Sequence, residues 1–204
     1  MVLFAAPTFA QHSERPFLLQ FTSDTALTAG IGLLNNSPIP DNTTEVRIWI
    51  GFGVVVPEEM LRLRTDAQGA TLGEVLVHFP SDLTYMKARE AAAFRRDVMR
   101  RCNRLRKGKE TDVCTATFKH APDWSALYKE LVKLGITTLP DESELPKSDR
   151  LVFDGVAIVV EVRQGSVYRA YEYSNPVFRS EPEAKAAAQI ISTVSDVFRL
   201  SSGG

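Results

Sequence analysis

Apolar residues alternate with polar ones, at the period of a β-strand, in two long regions of this chain. Elsewhere they recur at helical spacing. In the first region, 45–57 (EVRIWIGFGVVVP), Val46, Ile48, Ile50, Phe52 and Val54 alternate with Arg47, Trp49, Gly51, Gly53 and Val55. Two shorter runs follow, 61–64 and 72–79, turned at Asp66-Ala67-Gln68-Gly69. Arg62 and Arg64 alternate with Leu61 and Leu63, which predicts one solvated face, so 45–79 reads as an antiparallel meander.

The second region, 151–176 (LVFDGVAIVVEVRQGSVYRAYEYSNP), reads as a hairpin turned at Gln164-Gly165, with glycine supplying the positive φ of a two-residue loop. That loop pairs Arg163 with Ser166. Val156, Ile158, Val160 and Val162 then share a face with Val167, Arg169, Tyr171 and Tyr173, and Arg169 alone breaks its apolar character. The other face carries Ala157, Val159, Glu161 and Arg163 with Ser166, Tyr168, Ala170 and Glu172. Short strands are also predicted at 17–22 and 112–119.

Helical spacing appears three times. Ser81 or Asp82 is placed to cap a helix reaching about Cys102, with Ala91, Phe94, Val98 and Cys102 on one face. Asp123 caps a second helix, with Trp124, Leu127, Tyr128, Leu131 and Leu134 inward and Gly135 as its stop. Ser180 and Glu183 form a capping-box pattern before a third, striped by Ala184, Ala187, Ala188, Ile191, Val194 and Phe198, with Pro182 in its first turn. Between them, 28–44 is rich in Gly, Asn, Ser, Pro and Thr and reads as a mobile loop. It includes Asn42-Thr43-Thr44, a sequon that matters only in a eukaryotic secretory host.

The expected fold is therefore α+β: an antiparallel sheet, made from the meander and the C-terminal hairpin, with about three helices packed on one face. It is expected to be one domain over 11–200, with a division into two subdomains near 81 or 123 as the alternative, and a frayed tail at 201–204. With 204 residues, 44% of them hydrophobic, the chain can bury a sizeable core. A net charge of −1 argues against a general nucleic-acid binder or a polybasic membrane anchor. No stretch approaches transmembrane length.

Two features point to export. Residues 1–10 (MVLFAAPTFA) resemble the tail of a secretory signal peptide, an apolar run followed by a small-x-small pattern; the plain alternative is an apolar strand. Cys102 and Cys114, separated by a basic loop, read as a disulfide in an exported chain. Two thiols alone make no metal site, and there is no Cys-x-x-Cys.

Catalytic signatures are missing: no nucleophile elbow, zinc-protease helix, phosphate loop or dinucleotide fingerprint is present, and Gly51-x-Gly53 reads as a bulge or close packing over Trp49. His12, His78 and His120 have no sequence neighbour that would orient a catalytic imidazole. No catalytic residue, metal or cofactor is assigned. The basic block Arg95, Arg96, Arg100, Arg101, Arg104, Arg106, Lys107 and Lys109 reads as a solvated helix face and loop, with contact to an acidic surface as the functional alternative. The group that stands out is Asp154, Glu161, Tyr168, Arg169, Tyr171, Tyr173 and Asn175, because tyrosine and arginine are the usual material of recognition patches.

The order Leu-Gly-Ile-x-x-Leu-Pro-Asp (134–141), Phe-Asp-Gly (153–155), Glu161, Tyr-Arg-x-Tyr-x-Tyr-x-Asn-Pro (168–176) and Glu-Ala-Lys (183–185) resembles small exported bacterial domains of uncharacterised function. The likeness covers about 80 residues from Trp124 on and implies no activity. The expected function is a secreted or periplasmic, non-catalytic binding domain that meets a protein, peptide or glycan of the cell envelope through a Tyr/Arg sheet face. The alternative is a hydrolase using Asp154 or Glu161.

Overall fold

A computed structural model of the chain describes residues 16–52, 58–84, 86–109, 111–147 and 155–202. The signal-like start, His12, Gly53 and Asp154 lie outside the described residues.

Among the described residues seven strands form one antiparallel sheet: β1 (Thr44–Gly51), β2 (Glu58–Thr65), β3 (Thr71–Pro80), β4 (Cys102–Arg106), β5 (Thr111–Ala116), β6 (Ala157–Gln164) and β7 (Val167–Ser174). Their order is β4-β5-β3-β2-β1-β6-β7. The meander and the C-terminal hairpin are thus joined through β1 and β6, pairing Ile48 with Val160 and Arg47 with Glu161. The hairpin turns one residue later than predicted, at Gly165-Ser166, so Gln164 faces Val167 and Val162 faces Arg169. Gly165 still carries the positive φ, 53°, but at the first loop position. This moves the register by two, so every side chain keeps its predicted face.

Helices α2 (Ala88–Arg101), α3 (Trp124–Lys133) and α4 (Pro182–Ser202) belong to one side of the sheet. The main core lies there: Ile48, Leu61, Leu63, Val75, Val77, Val160, Tyr171 and Tyr173 meet Leu127 and Leu131 of α3 and Ala184, Ala187, Ile190 and Val194 of α4. Asp123 caps α3 as expected, accepting the Ala126 N–H at 2.9 Å, and Gly135 ends it at φ 83°. The ring of Trp124 lies against β3 at Gly73, where any β-carbon would overlap it.

Three expectations fail for local reasons. Ser81 and Asp82 do not cap α2. Ser81 bonds to Asp112 and Asp82 to the Thr84 N–H, and the helix starts at Ala88. The helix also stops one residue short of Cys102, which opens β4 instead. The disulfide to Cys114 therefore links two neighbouring strands. Finally, 17–22 is not a strand but a 3-10 turn, Phe17–Phe21, that runs into helix α1 (Thr22–Ala29).

That last change alters the architecture. The segment 16–36 is a strap across the second face of the sheet, the face expected to be solvated. Leu19, Ala26 and Ala29 pack there on Trp49, Met60, Leu76, Val113 and Val159, making a second, smaller core. Leu34, within the expected mobile loop, is fully buried. Helices thus cover both faces rather than one.

At the β7 edge, Glu172 and Ser174 donate their backbone N–H groups to the carboxylates of Asp141 (2.9 Å) and Glu142 (2.6 Å). Both acids sit on the loop after α3, which Arg179 ties to the start of α4 through Glu142 and Glu181.

Candidate functional site

The predicted Tyr/Arg patch is not an open surface. Tyr171 and Tyr173 are 1% and 0% exposed. Their hydroxyls donate to the backbone carbonyls of Ile136 (2.9 Å) and Pro140 (3.0 Å). Arg169, 5.4 Å above the Tyr171 ring, donates Nη1 to the Thr137 carbonyl at 2.6 Å and Nη2 to that of Leu139. These three side chains consume their polar groups in holding 136–140, the turn that follows α3. Burial pushes the hydroxyl pKa of both tyrosines well above the ordinary range. Asn175 is a turn residue with φ 54°, and its amide occupies the space a side chain at Gly155 would need.

Glu161 and Tyr168 point to the opposite face, where the strap and sheet enclose a cavity of about 480 Å³. Its floor is Arg47 and Glu161. Leu19, Ala26 and Leu33 supply apolar wall, and Phe17, Gln20, Ser23, Asn35 and Tyr168 stand toward solvent. Its volume falls in the range of small-molecule sites, and its lining is mixed, an apolar wall beside several polar and charged side chains.

The floor continues into a network of side chains at alternating positions on neighbouring strands, each polar because it has a partner. Glu45 accepts from Arg47 Nε (2.8 Å) and from Arg62 Nε and Nη2 (2.7 and 2.9 Å), and Arg62 Nη1 reaches Glu74 at 2.9 Å. Two guanidiniums thus face two carboxylates in a closed network. Burial pushes the Glu45 pKa up, but the hydrogen bonds and charges of Arg62 and Arg47 outweigh it and leave the group below its ordinary value.

Arg47 sits directly opposite Glu161 in the sheet register, yet its guanidinium turns elsewhere. Beyond Glu45 it donates to the carbonyls of Gly32 (2.7 Å) and Ile31 (3.1 Å) in the strap. Glu161 is left with neutral donors, the Trp49 indole N–H at 2.9 Å and the Tyr168 hydroxyl at 3.0 Å. Among the described residues no cation lies within ion-pair distance of it. Burial raises its pKa, outweighing the charge of Arg47 and the two hydrogen bonds, and Glu45 adds to the rise.

The strap is fastened by its backbone. Besides Arg47, Arg163 reaches the Asn35 carbonyl at 3.3 Å, Arg106 that of Ala29, and the Leu18 N–H donates to Glu172 at 2.7 Å. The basic block is therefore divided: Arg95, Arg96 and Arg100 are exposed, whereas Arg106 pins α1.

Neither remaining histidine reaches the cavity lining. His120 is exposed, and His78 is buried beside the Trp49 ring, 3.4 Å from the Thr25 hydroxyl, with its pKa pushed down to about 3 by burial. Sequence reasoning singled out Glu161 and Tyr168 but missed Arg47 and the strap. The available signal was the run of charged residues at alternate positions, Glu45, Arg47 and Arg62, on strands too apolar to lie at a bare surface. No protein-family model and no curated protein matches the chain. The cavity is thus read from its chemistry alone.

Proposed function

We propose that this protein is an exported, non-catalytic binding domain whose ligand enters the cavity between the N-terminal strap and the second face of the sheet. The observation that carries the reading is Glu161: a buried carboxyl, held in place by Trp49 and Tyr168, at the floor of a cavity that opens to solvent. Burying a carboxyl costs stability unless it gains something, and a ligand contact is that gain. The site lies on a rigid sheet beneath a short helical roof, which suits recognition of a small compact molecule.

Export rests on the Cys102–Cys114 disulfide, which belongs to an oxidising compartment, and on the signal-like start of the sequence. No helix among the described residues is long and apolar enough to cross a membrane. The resemblance of the C-terminal part to small exported bacterial domains points the same way. Hydrolysis is the weaker reading, because the described lining offers Glu161 neither an imidazole nor a second carboxylate.

The test is uptake of a neutral, polarity-sensitive dye such as Nile red. The wild-type protein should enhance its fluorescence, and Ser23→Trp, which plugs the mouth, should abolish the enhancement with the far-UV circular dichroism unchanged. Equal enhancement in the plugged variant, or none in the wild type, removes the cavity as a binding site.

A further inference from the structure

We infer that the cavity takes a ligand made of a protonated amine on a compact apolar body, the ammonium seated at Glu161. This rests on the cavity being the binding site and adds the chemistry of what fills it. Three observations carry it.

The first is the charge arrangement of the floor. Arg47 and Arg62 are matched by Glu45 and Glu74, and Arg47 Nε, Nη1 and Nη2 are all engaged. Glu161 is the carboxyl left over, hydrogen-bonded only to the neutral groups of Trp49 and Tyr168. The second is the roof. Residues 16–36 contain no Lys, Arg or His, so the strap brings no cation of its own. Among the described residues, the cation whose charge reaches Glu161, Arg47, is turned to Glu45 and the strap carbonyls, so a cation that pairs with Glu161 directly comes with the ligand. The third is the wall: Leu19, Ala26 and Leu33 accept an apolar body, and the rings of Phe17 and Tyr168 line the way in, faces that attract an ammonium.

A ligand carboxylate suits the site less well. It would have to compete with Glu45 and two backbone carbonyls for Arg47 and would lie beside Glu161. An ammonium instead gives Glu161 the counter-charge that burial denies it, and burial sharpens the preference because a charge pair is stronger away from water. Where Glu161 holds a proton, that proton passes to solvent as the ammonium binds. The charged or titratable groups around Glu161 are Arg47 and Glu45 on β1, Arg163 on β6, and Tyr168 and Glu172 on β7. Arg163 is turned to the Gly165 and Asn35 carbonyls and Glu172 to the Leu18 N–H.

The experiment uses three ligands of one shape: 2-phenylethylamine, 2-phenylethanol and 3-phenylpropionate, titrated calorimetrically at pH 7.5. The amine should bind the wild type at least tenfold more tightly than either analogue. Glu161→Gln should remove that preference, weakening the amine at least tenfold while changing the alcohol less than twofold. On the wild type alone, amine affinity should fall as the pH is lowered to 4.5, so the inference stays testable if Glu161→Gln does not fold. Equal or tighter binding of the alcohol or acid, or an amine affinity indifferent to Glu161→Gln and to pH, overturns the ligand class and leaves the binding site standing. If none of the three binds and Nile red is not taken up, both fall together.

Discussion

Arg169 interrupts an otherwise apolar sheet face, and at that spacing it reads equally well as a rim residue or a recognition residue. Its guanidinium instead replaces water for two backbone carbonyls just past α3. Hydrogen bonds from a charged donor are worth about 1.5–3 kcal/mol each. Arg169→Ala should therefore lower stability by about 2–4 kcal/mol in a chemical denaturation series, and should leave ligand binding in the opposite-face cavity unchanged. Gly73 is a second such position. Gly73→Ala should cost about 1–3 kcal/mol, because the Trp124 ring must leave its seat to admit a methyl group. Pairing it with Trp124→Leu should make most of that cost disappear, a coupling readable in a double-mutant cycle.

Glu45 and Glu161 respond to pH in opposite directions. The folded protein lowers the pKa of Glu45, so its contribution is present above the ordinary value near 4.5 and is lost as pH falls through the lowered one. For Glu161 the folded pKa is raised, so its carboxyl is best tolerated below 4.5, and stability is lost as pH rises through the raised value. Glu161→Gln should therefore be no more stable than wild type at pH 4 and more stable at pH 8, measured as the shift of the thermal midpoint between the two.

At the scale of elements, strands were legible wherever one face was dry. Val46, Ile48 and Ile50 in β1 and Ile158, Val160 and Val162 in β6 alternate because they feed a single core, so their period survives any small error in the turn. The strap was not legible. Phe17, Leu18, Leu19 and Phe21 lack both strand alternation and a full helical stripe, because the segment makes a short 3-10 turn and then only eight residues of α-helix. Its placement is decided by sheet side chains that reach its carbonyls, a long-range cause with no local trace. β4 was hidden differently: its arginines continue the composition of α2, and the change from helix to strand occurs at Cys102, where pairing with β5 takes over.

The disulfide belongs to this scale. Linking Cys102 and Cys114 closes a twelve-residue separation, worth about 3 kcal/mol in the chain-entropy view. Native protein recovered from an oxidising compartment should show no titratable thiol, and a mild reductant should lower its melting temperature without shifting the midpoint of a Cys102→Ala, Cys114→Ala variant. Two reactive thiols in the native protein would remove the strongest physical support for export.

For the whole molecule, the decisive point is that the sheet has two covered faces of different character. One is a dry core of aliphatic residues and anchored tyrosines. The other combines a small core with an ion network and a cavity. The candidate site follows from that difference: the face with polar residues at alternate positions is where a cavity can have a chemically active floor. Sequence placed Glu161 and Tyr168 on that face but credited the opposite one with recognition, because an exposed and a buried tyrosine are indistinguishable until the turn at 136–140 is seen to need them.

The carboxylates of Asp141 and Glu142 on the β7 edge also bear on how copies of this protein meet. An uncovered sheet edge offers its amide groups to any extended chain that passes, and a stack of such pairings is how sheets grow into fibres. Here two of those amides are already occupied by acids that cannot themselves extend the ladder. The edge is thereby guarded against growth. Replacing Asp141 and Glu142 together with alanine should leave the monomer folded but lower the concentration at which light scattering first rises.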